Sequence, residues 1–107
     1  MSFDMNKMLK EAQRMQEELA KAQEEAAHEI VEASAGGGMV TVKANGAGEV
    51  VSISIDPRAI DPDDPELLAD MVLAAVNEAL RSAQSLMQSK MSGLLPDGLG
   101  NLGLPGI

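Results

Sequence analysis

Residues 5–27 have the sequence MNKMLKEAQRMQEELAKAQEEAA, and this run decides the fold because it predicts one long helix. Apolar side chains recur at alternating spacings of four and three residues, at Met8, Ala12, Met15, Leu19, Ala22 and Ala26. That alternation is typical of a coiled-coil seam, and no Gly, Pro or β-branched residue interrupts it. A helix of about 23 residues is about 34 Å long, which is too long for one small domain to cover. The rest of the chain must pack along it or leave part of it to a partner.

Charge is distributed unevenly along this predicted helix. Lys7, Arg14 and Lys21 are seven residues apart and share one stripe, with Lys10 beside it. From residue 17 onward the run is mainly acidic, and Lys21 is its only cation. The predicted helix is therefore positive toward its N-terminal end and negative in its C-terminal half.

Three short runs after the helix predict an antiparallel meander with one solvent-exposed face. Residues 27–33 indicate a first strand, with a continued helix as the alternative, and the glycines that follow predict a hairpin loop. Residues 39–44 and 49–55 alternate apolar and polar side chains, as half-buried strands do. The predicted inward set is Val40, Val42, Ala44, Val51, Ile53 and Ile55. Between these strands, Asn45-Gly46 predicts a two-residue type I′ turn with positive φ at both residues.

A second helix is predicted for residues 65–91. Asp64 as N-cap and Pro65 at the first helical position form a favourable start. The apolar positions make a broad stripe, comprising Leu68, Val72, Leu73, Ala75, Val76, Ala79, Leu80, Ala83, Leu86 and Met87. This surface exceeds what one small sheet needs, so we expect a partner, most simply a second copy of the chain, to cover part of it.

The chain divides into residues 1–92, which hold every predicted element, and residues 93–107, GLLPDGLGNLGLPGI. The second segment has five Gly and two Pro in fifteen residues, which predicts a flexible tail. Its leucines leave docking of the tail on a protein partner open. The predicted fold class is α+β, with a three-stranded antiparallel meander between two long helices.

Composition limits the function classes further. The chain has 107 residues and no Cys, so we expect one domain without disulfides or thiolate metal sites. Neither a signal peptide nor a run of about 18 apolar residues is visible, which predicts a cytoplasmic protein without a membrane segment. The net charge of −9 argues against non-specific phosphate binding, which needs clustered Lys and Arg.

No group of residues predicts catalysis. His28 is the only histidine, and nothing marks a particular Ser as an activated nucleophile. Acidic residues crowd the segment 56–66, but their spacing is not that of a calcium loop, and turn formation with helix capping accounts for them. The glycines at 36–38 lack the Lys-Ser/Thr that follows a phosphate loop. We therefore expect no enzymatic activity, no metal or other cofactor and no small-molecule substrate.

Five cations are the candidates for binding a nucleic acid, namely Lys7, Lys10, Arg14, Arg81 and Lys90. The alternative is that they lie on solvated helix faces and form ion pairs with neighbouring acidic side chains. No aromatic residue interleaves with them, so base stacking is not available. If the chain binds DNA, we expect it to contact the backbone or the shape of the duplex.

Three stretches together resemble the bacterial nucleoid-associated YbaB/EbfC family. They are KEAQRMQEEL in the first helix, GGGMVTVKANGAGEVVSISIDP in the hairpins and DMVLAAVNEAL in the second helix. The resemblance covers about residues 5–92 in the same order. It implies an α-β-β-β-α protomer, a tweezer-like homodimer with projecting helices, and DNA binding with little or modest sequence preference.

The same resemblance implies a location at the nucleoid and roles in nucleoid organisation and gene expression. It places the family-like cations at Lys7, Lys10 and Arg14, and it aligns Arg81 with a basic position after the N-[DE]-A motif. The net charge of −9 departs from what a DNA-binding protein needs, so binding through local basic ends is expected to be sensitive to salt. The alternative function is an acidic protein-interaction scaffold with weak or no DNA binding.

Overall fold

The computed structural model describes residues 4–94, and these have the predicted order of helix, three strands and helix. The elements are α1 (Met5–His28), β1 (Ile30–Ala35), β2 (Val40–Asn45), β3 (Val50–Ile55), a 3₁₀ turn (Pro57–Ala59) and α2 (Pro65–Ser92). The strands form one antiparallel sheet in the order β1-β2-β3. The α+β fold class is therefore confirmed. The predicted tail lies outside the described residues, apart from Gly93 and Leu94.

Both helices begin at an aspartate. The carboxylate of Asp4 accepts a hydrogen bond from the backbone N–H of Lys7 at 3.1 Å. The carboxylate of Asp64 accepts one from the N–H of Leu67 at 3.2 Å, and Pro65 occupies the first position of α2. These bonds satisfy N–H groups that have no partner within the helix. No helix within residues 4–94 is long and apolar enough to cross a membrane.

The core lies between α2 and the first two strands. It consists of Ala33 on β1, of alternate β2 residues and of one stripe of α2, namely Val40, Val42, Ala44, Ala75, Ala79 and Ala83. The alternation predicted for β2 is thus confirmed. Val40 and Val42 are the only large side chains among the described residues that are fully buried. A core built mainly of alanine buries little apolar surface, so this chain folds with a small hydrophobic contribution.

Ile53 and Ile55 of β3 face the predicted side of the sheet, but neither is buried within the described chain. Ile53 pairs with Val42 and Ile55 with Val40, so both lie on the sheet face that α2 contacts. They are nevertheless 47% and 38% exposed, because α2 lies over β1 and β2 and barely touches β3. Val51 is also exposed, and it is the extra residue where the pairing with β2 changes register.

The predicted type I′ turn is wrong. Asn45 is the last residue of β2, and neither it nor Gly46 has a positive φ. The turn runs to Gly48, whose φ is 85° and whose N–H donates to the carbonyl of Asn45 at 3.0 Å. The side-chain oxygen of Asn45 accepts from the N–H groups of Ala47 and Glu49 at 3.0 and 3.1 Å. This is a three-residue loop in which the second glycine supplies the left-handed residue.

Gly46 has a different role, because it lies against the C-terminal end of α1. Its N–H donates to the carbonyl of Glu29 at 3.1 Å, and a Cβ at this position would collide with the carbonyl oxygen of Ala26. α1 continues to His28, and β1 begins at Ile30 instead of the predicted residue 27. The absence of a side chain at Gly46 thus lets the β2–β3 loop lie directly against the end of α1.

The first half of α1 projects from the body of the chain. Every residue from Asp4 to Glu18 is exposed, whereas Leu19 and Ala22 are half-buried and Ala26 is buried. The Cα radius of gyration is 20.4 Å, against about 13 Å for a compact domain of this length. The other residues of the described range, 4–94, therefore cover only the C-terminal part of the seam.

We expect Gly46→Ala to lower the free energy of unfolding by about 1–3 kcal/mol, because the new methyl group strikes backbone and cannot rotate away. Urea unfolding followed by circular dichroism measures this loss. Gly93→Ala is the matched control, since Gly93 has φ −64° and an added Cβ would lie 3.6 Å from its nearest neighbours. It should change stability by less than about 0.5 kcal/mol. Equal stabilities of the two variants would contradict the close contact with α1.

Candidate nucleic-acid interface

Three of the five predicted cations lie together on the projecting half of α1. Lys7, Lys10 and Arg14 are all exposed, and the helical period of 3.6 residues places their side chains on one face. Along the helix axis, Lys7 and Arg14 are about 10 Å apart. We call these three residues the cation face of α1.

Few internal contacts compete for these charges. Four ion pairs occur within residues 4–94, and neither Lys7 nor Lys10 takes part in one. The guanidinium of Arg14 donates to the carboxylate of Glu18 at 3.1 Å, four residues further along the helix. Both side chains of this pair are more than half exposed, so an incoming phosphate can replace Glu18 at small cost. The cation face is available to an anionic ligand.

Arg81 lies apart from the cation face, on α2. It follows Ala79 and precedes Ala83, and a separation of two residues turns it away from the buried stripe that those alanines form. Its guanidinium donates to the carboxylate of Glu78 at 2.7 Å. Arg81 is exposed on the outer surface of α2.

Lys90 joins the end of α2 to the start of the sheet through an ion pair. Its ammonium lies 2.9 Å from the carboxylate of Glu29, the residue that joins α1 to β1. The hydrogen bond and the charge of Glu29 raise the pKa of Lys90, and the charge of Glu25 adds to the effect. The structure therefore brings Lys7, Lys10 and Arg14 together, whereas Arg81 and Lys90 lie elsewhere on the chain and each has an acidic partner.

Lys21 belongs on the same side of α1 as the cation face, although it is not among the five predicted site residues. It is exposed, and its spacing of seven residues from Arg14 continues the stripe that begins at Lys7. Its neighbours along the helix are glutamates, at positions 17, 24 and 25. The positive field of the stripe therefore weakens after Arg14.

The acidic segment 56–66 is occupied by turns and a cap. Asp56 accepts hydrogen bonds from the backbone and guanidinium of Arg58, and these bonds lower the pKa of its carboxyl group. Asp61 accepts from the N–H of Asp63 at 2.9 Å, and Asp64 caps α2. Within residues 4–94, no three His, Asp or Glu side chains are grouped so that they could hold a metal ion.

A single exposed helix with cations on one face suits contact with a nucleic-acid backbone. Lys and Arg bind phosphate oxygens, and an α-helix has the diameter that the major groove of B-DNA admits. Residues 4–94 contain no aromatic side chain, since the single aromatic residue of the sequence is Phe3. Contacts through phosphates carry little sequence information, so this geometry favours binding with weak sequence preference.

Comparisons with known proteins agree on one family. A model of the YbaB/EbfC DNA-binding family matches residues 1–99. A nucleoid-associated protein of Pelotomaculum thermopropionicum is 50% identical over 107 residues, covering 100% of this chain and 98% of the relative. A nucleoid-associated protein of Moorella thermoacetica is 52% identical over 103 residues, covering 96% and 95%.

The fold also has a counterpart among solved structures. The crystal structure of the uncharacterized protein HP0035 from Helicobacter pylori superposes with a TM-score of 0.74 at 24% sequence identity. The match covers 89% of this chain and 100% of that protein. At this identity the likeness supports the fold alone.

We expect Glu29→Gln to bring the pKa of Lys90 down toward the ordinary lysine value of about 10.4. An NMR titration of the lysine side chains measures the change. Because the raised pKa belongs to the folded chain, the pair stabilises the fold at neutral pH, and this contribution is lost as the pH rises through the pKa of Lys90. Glu24→Gln removes a carboxylate from another face of α1 and should leave Lys90 unchanged. An unaltered pKa of Lys90 in the Glu29→Gln variant would contradict the ion pair between Lys90 and Glu29.

Proposed function

The chain belongs to the YbaB/EbfC DNA-binding family, and from this membership we propose that it is a nucleoid-associated protein that binds DNA as a homodimer. The observation that carries the proposal is the cation face on a half-helix that no other described element covers. Residues 1–92 form the dimerisation and DNA-binding domain in this proposal. It requires no catalytic step and no cofactor.

Phosphate contacts are the source of affinity. Lys7 and Lys10 are outside the ion pairs of the described chain, and Arg14 can exchange Glu18 for a phosphate. With a net charge of −9, the rest of the surface repels the duplex, so binding is confined to the tip of α1 and weakens steeply with salt. Arg81 and Lys90 are secondary contacts in this proposal, because each must first be released from a glutamate.

A second copy of the chain is supported by the apolar surface beside β3. A groove between β3 and α2 is lined by seven residues, namely Ile55, Pro65, Leu68, Ala69, Val72, Leu73 and Val76. The outer edge of β3 is unpaired within residues 4–94, and its core-side residues are exposed. An exposed edge strand next to an apolar groove is an aggregation hazard unless another chain covers it.

A homodimer through this surface presents the cation face twice. Each protomer contributes one projecting α1, and the two-fold axis relates the two tips. The tweezer-like arrangement that we propose lets one duplex contact both tips. Affinity then benefits from two sites held at a fixed spacing, although each tip carries few cations.

We expect the double variant Lys7→Gln, Lys10→Gln to weaken DNA binding. Each lost phosphate contact reduces the steepness of the slope of log K against log salt by about 0.9, so two lost contacts at each of the two tips reduce it by about 3.6. Fluorescence anisotropy of a labelled duplex, titrated at salt concentrations from about 50 to 200 mM, measures the slope. Lys43→Gln, Arg58→Gln is the matched control, because it removes the same charge from exposed positions outside α1.

Two outcomes would contradict this assignment in different ways. If both double variants lose affinity equally, the cation face is not the site. If the wild-type dimer binds no DNA even at the lowest salt, the proposed function fails, and the acidic scaffold with a protein partner on the tail takes its place.

We expect Leu73→Asp to dissociate the homodimer, because it puts a charge into the apolar groove without disturbing the core of one chain. Leu73 is 59% exposed and Leu9 is 56% exposed, so Leu9→Asp is a control of equal exposure on α1. Sedimentation velocity at micromolar concentration should give a monomer for Leu73→Asp and a dimer for Leu9→Asp. A monomeric wild-type protein would contradict the homodimer itself.

A further inference from the structure

The apolar seam of α1 continues beyond the point where the described chain covers it. Met5, Met8, Leu9 and Ala12 line a shallow apolar groove on the projecting half of the helix, and Met15 extends it toward Leu19. From Leu19 to Ala26 the same seam is half-buried or buried, because α2 packs against it. We call the exposed apolar residues Met5, Met8, Leu9, Ala12 and Met15 the open seam.

The described residues end at Leu94, near the part of α1 against which α2 packs. Lys90 is held to Glu29, and the last turn of α2 closes with hydrogen bonds from the N–H of Gly93 to Ser89 and of Leu94 to Met91. Leu94 is half-buried. Thirteen residues follow it, and five of them are apolar, namely Leu95, Leu99, Leu102, Leu104 and Ile107.

We propose that residues 95–107 dock on the open seam of their own chain. The open seam and Leu19 together span about 21 Å along the helix axis. Thirteen extended residues reach about 43 Å, so the segment is long enough to follow the seam to its N-terminal end. The docking continues the packing that α2 begins and buries methionine and leucine side chains that are exposed without it.

The charges beside the open seam favour residues 95–107 as its occupant over the α1 helix of a second copy of the chain. Glu11 and Glu18 flank the seam on one side, seven residues apart. Two open seams packed antiparallel bring these acidic rows together, which destabilises the pair. Residues 95–107 contain a single charged side chain, Asp97, so the segment meets little repulsion. Methionine-rich surfaces also adapt readily to an irregular peptide.

Docking on the open seam leaves the cation face free. The 3.6-residue period places Met8 and Ala12 on the opposite side of α1 from Lys10 and Arg14. The docked segment therefore stiffens the projecting half of α1 and does not compete with a nucleic acid for the cation face.

Paramagnetic relaxation in the full-length chain tests the docking. The chain has no Cys, so Asn101→Cys gives one attachment site for a nitroxide. With the methionine methyl groups labelled with ¹³C, we expect the peaks of Met5, Met8 and Met15 to lose most of their intensity. Met39 and Met71 lie at the far end of the sheet, about 35 Å along α2 from Leu94 for Met71, and should keep theirs.

A control variant separates docking from mere tethering. In the same nitroxide chain, Leu99→Ser, Leu102→Ser and Leu104→Ser keep the tether but remove the apolar contacts. The intensities of Met5, Met8 and Met15 should then recover, with unchanged Met39 and Met71 positions reporting an intact fold. Unrecovered intensities would overturn the proposal, as would intensities that are never lost.

A mixed sample identifies the chain that supplies the segment. Nitroxide chains without ¹³C are refolded together with ¹³C-methionine chains that lack the nitroxide. Docking within one chain predicts no loss of intensity in this sample. Loss in the mixed sample would assign the open seam to a second copy and overturn the proposal, independently of whether the protein binds DNA.

Discussion

The packing of the α2 alanines on β2 is the interaction on which the rest of the structure depends. Ala75, Ala79 and Ala83 are fully buried against Val40 and Val42. Because these side chains are small, the helix approaches the sheet closely, and its position is set by contacts that tolerate little change in volume. The same close approach limits how much of the sheet and of α1 the helix α2 can cover. One helix seated over β1 and β2 cannot also cover β3, and it reaches only the last turns of α1.

Two uncovered apolar surfaces follow from this limit, one at each end of the molecule. The groove beside β3 adjoins an edge strand of the described sheet, which suits a second copy related by a two-fold axis. The open seam is a single helix stripe, and the described residues end at the half-buried Leu94, which suits a narrow peptide. A compact monomer of this length would expose neither. The extended shape is therefore a consequence of the small core, and it is also what lets α1 carry its cations away from the acidic body.

Elements set by local periodicity could be predicted from the sequence, and features set by contacts between distant residues could not. The two helices and the alternation of β2 follow from patterns within single segments. The local sequence predicts Gly46 as a turn residue, but the need for glycine there comes from the carbonyl of Ala26, twenty residues earlier in the chain. The exposure of Ile53 depends on where α2 lies. For the candidate site, the grouping of the α1 cations could be predicted from their spacing, whereas the pairing of Lys90 with Glu29 has no local signal.

The acidic total and a DNA-binding function are compatible because the charges are segregated along α1. Screening limits the reach of surface charges to about 8 Å at physiological ionic strength. The acidic half of α1 begins at residue 17 and leads toward the sheet, so a duplex bound at the proposed contacts Lys7 and Lys10 lies more than one such length from most of the glutamates. Those glutamates repel a duplex that approaches the sheet or the flank of α1. In the proposed complex, an acidic body with basic tips restricts where the phosphates bind, which a uniformly basic chain of this size could not do.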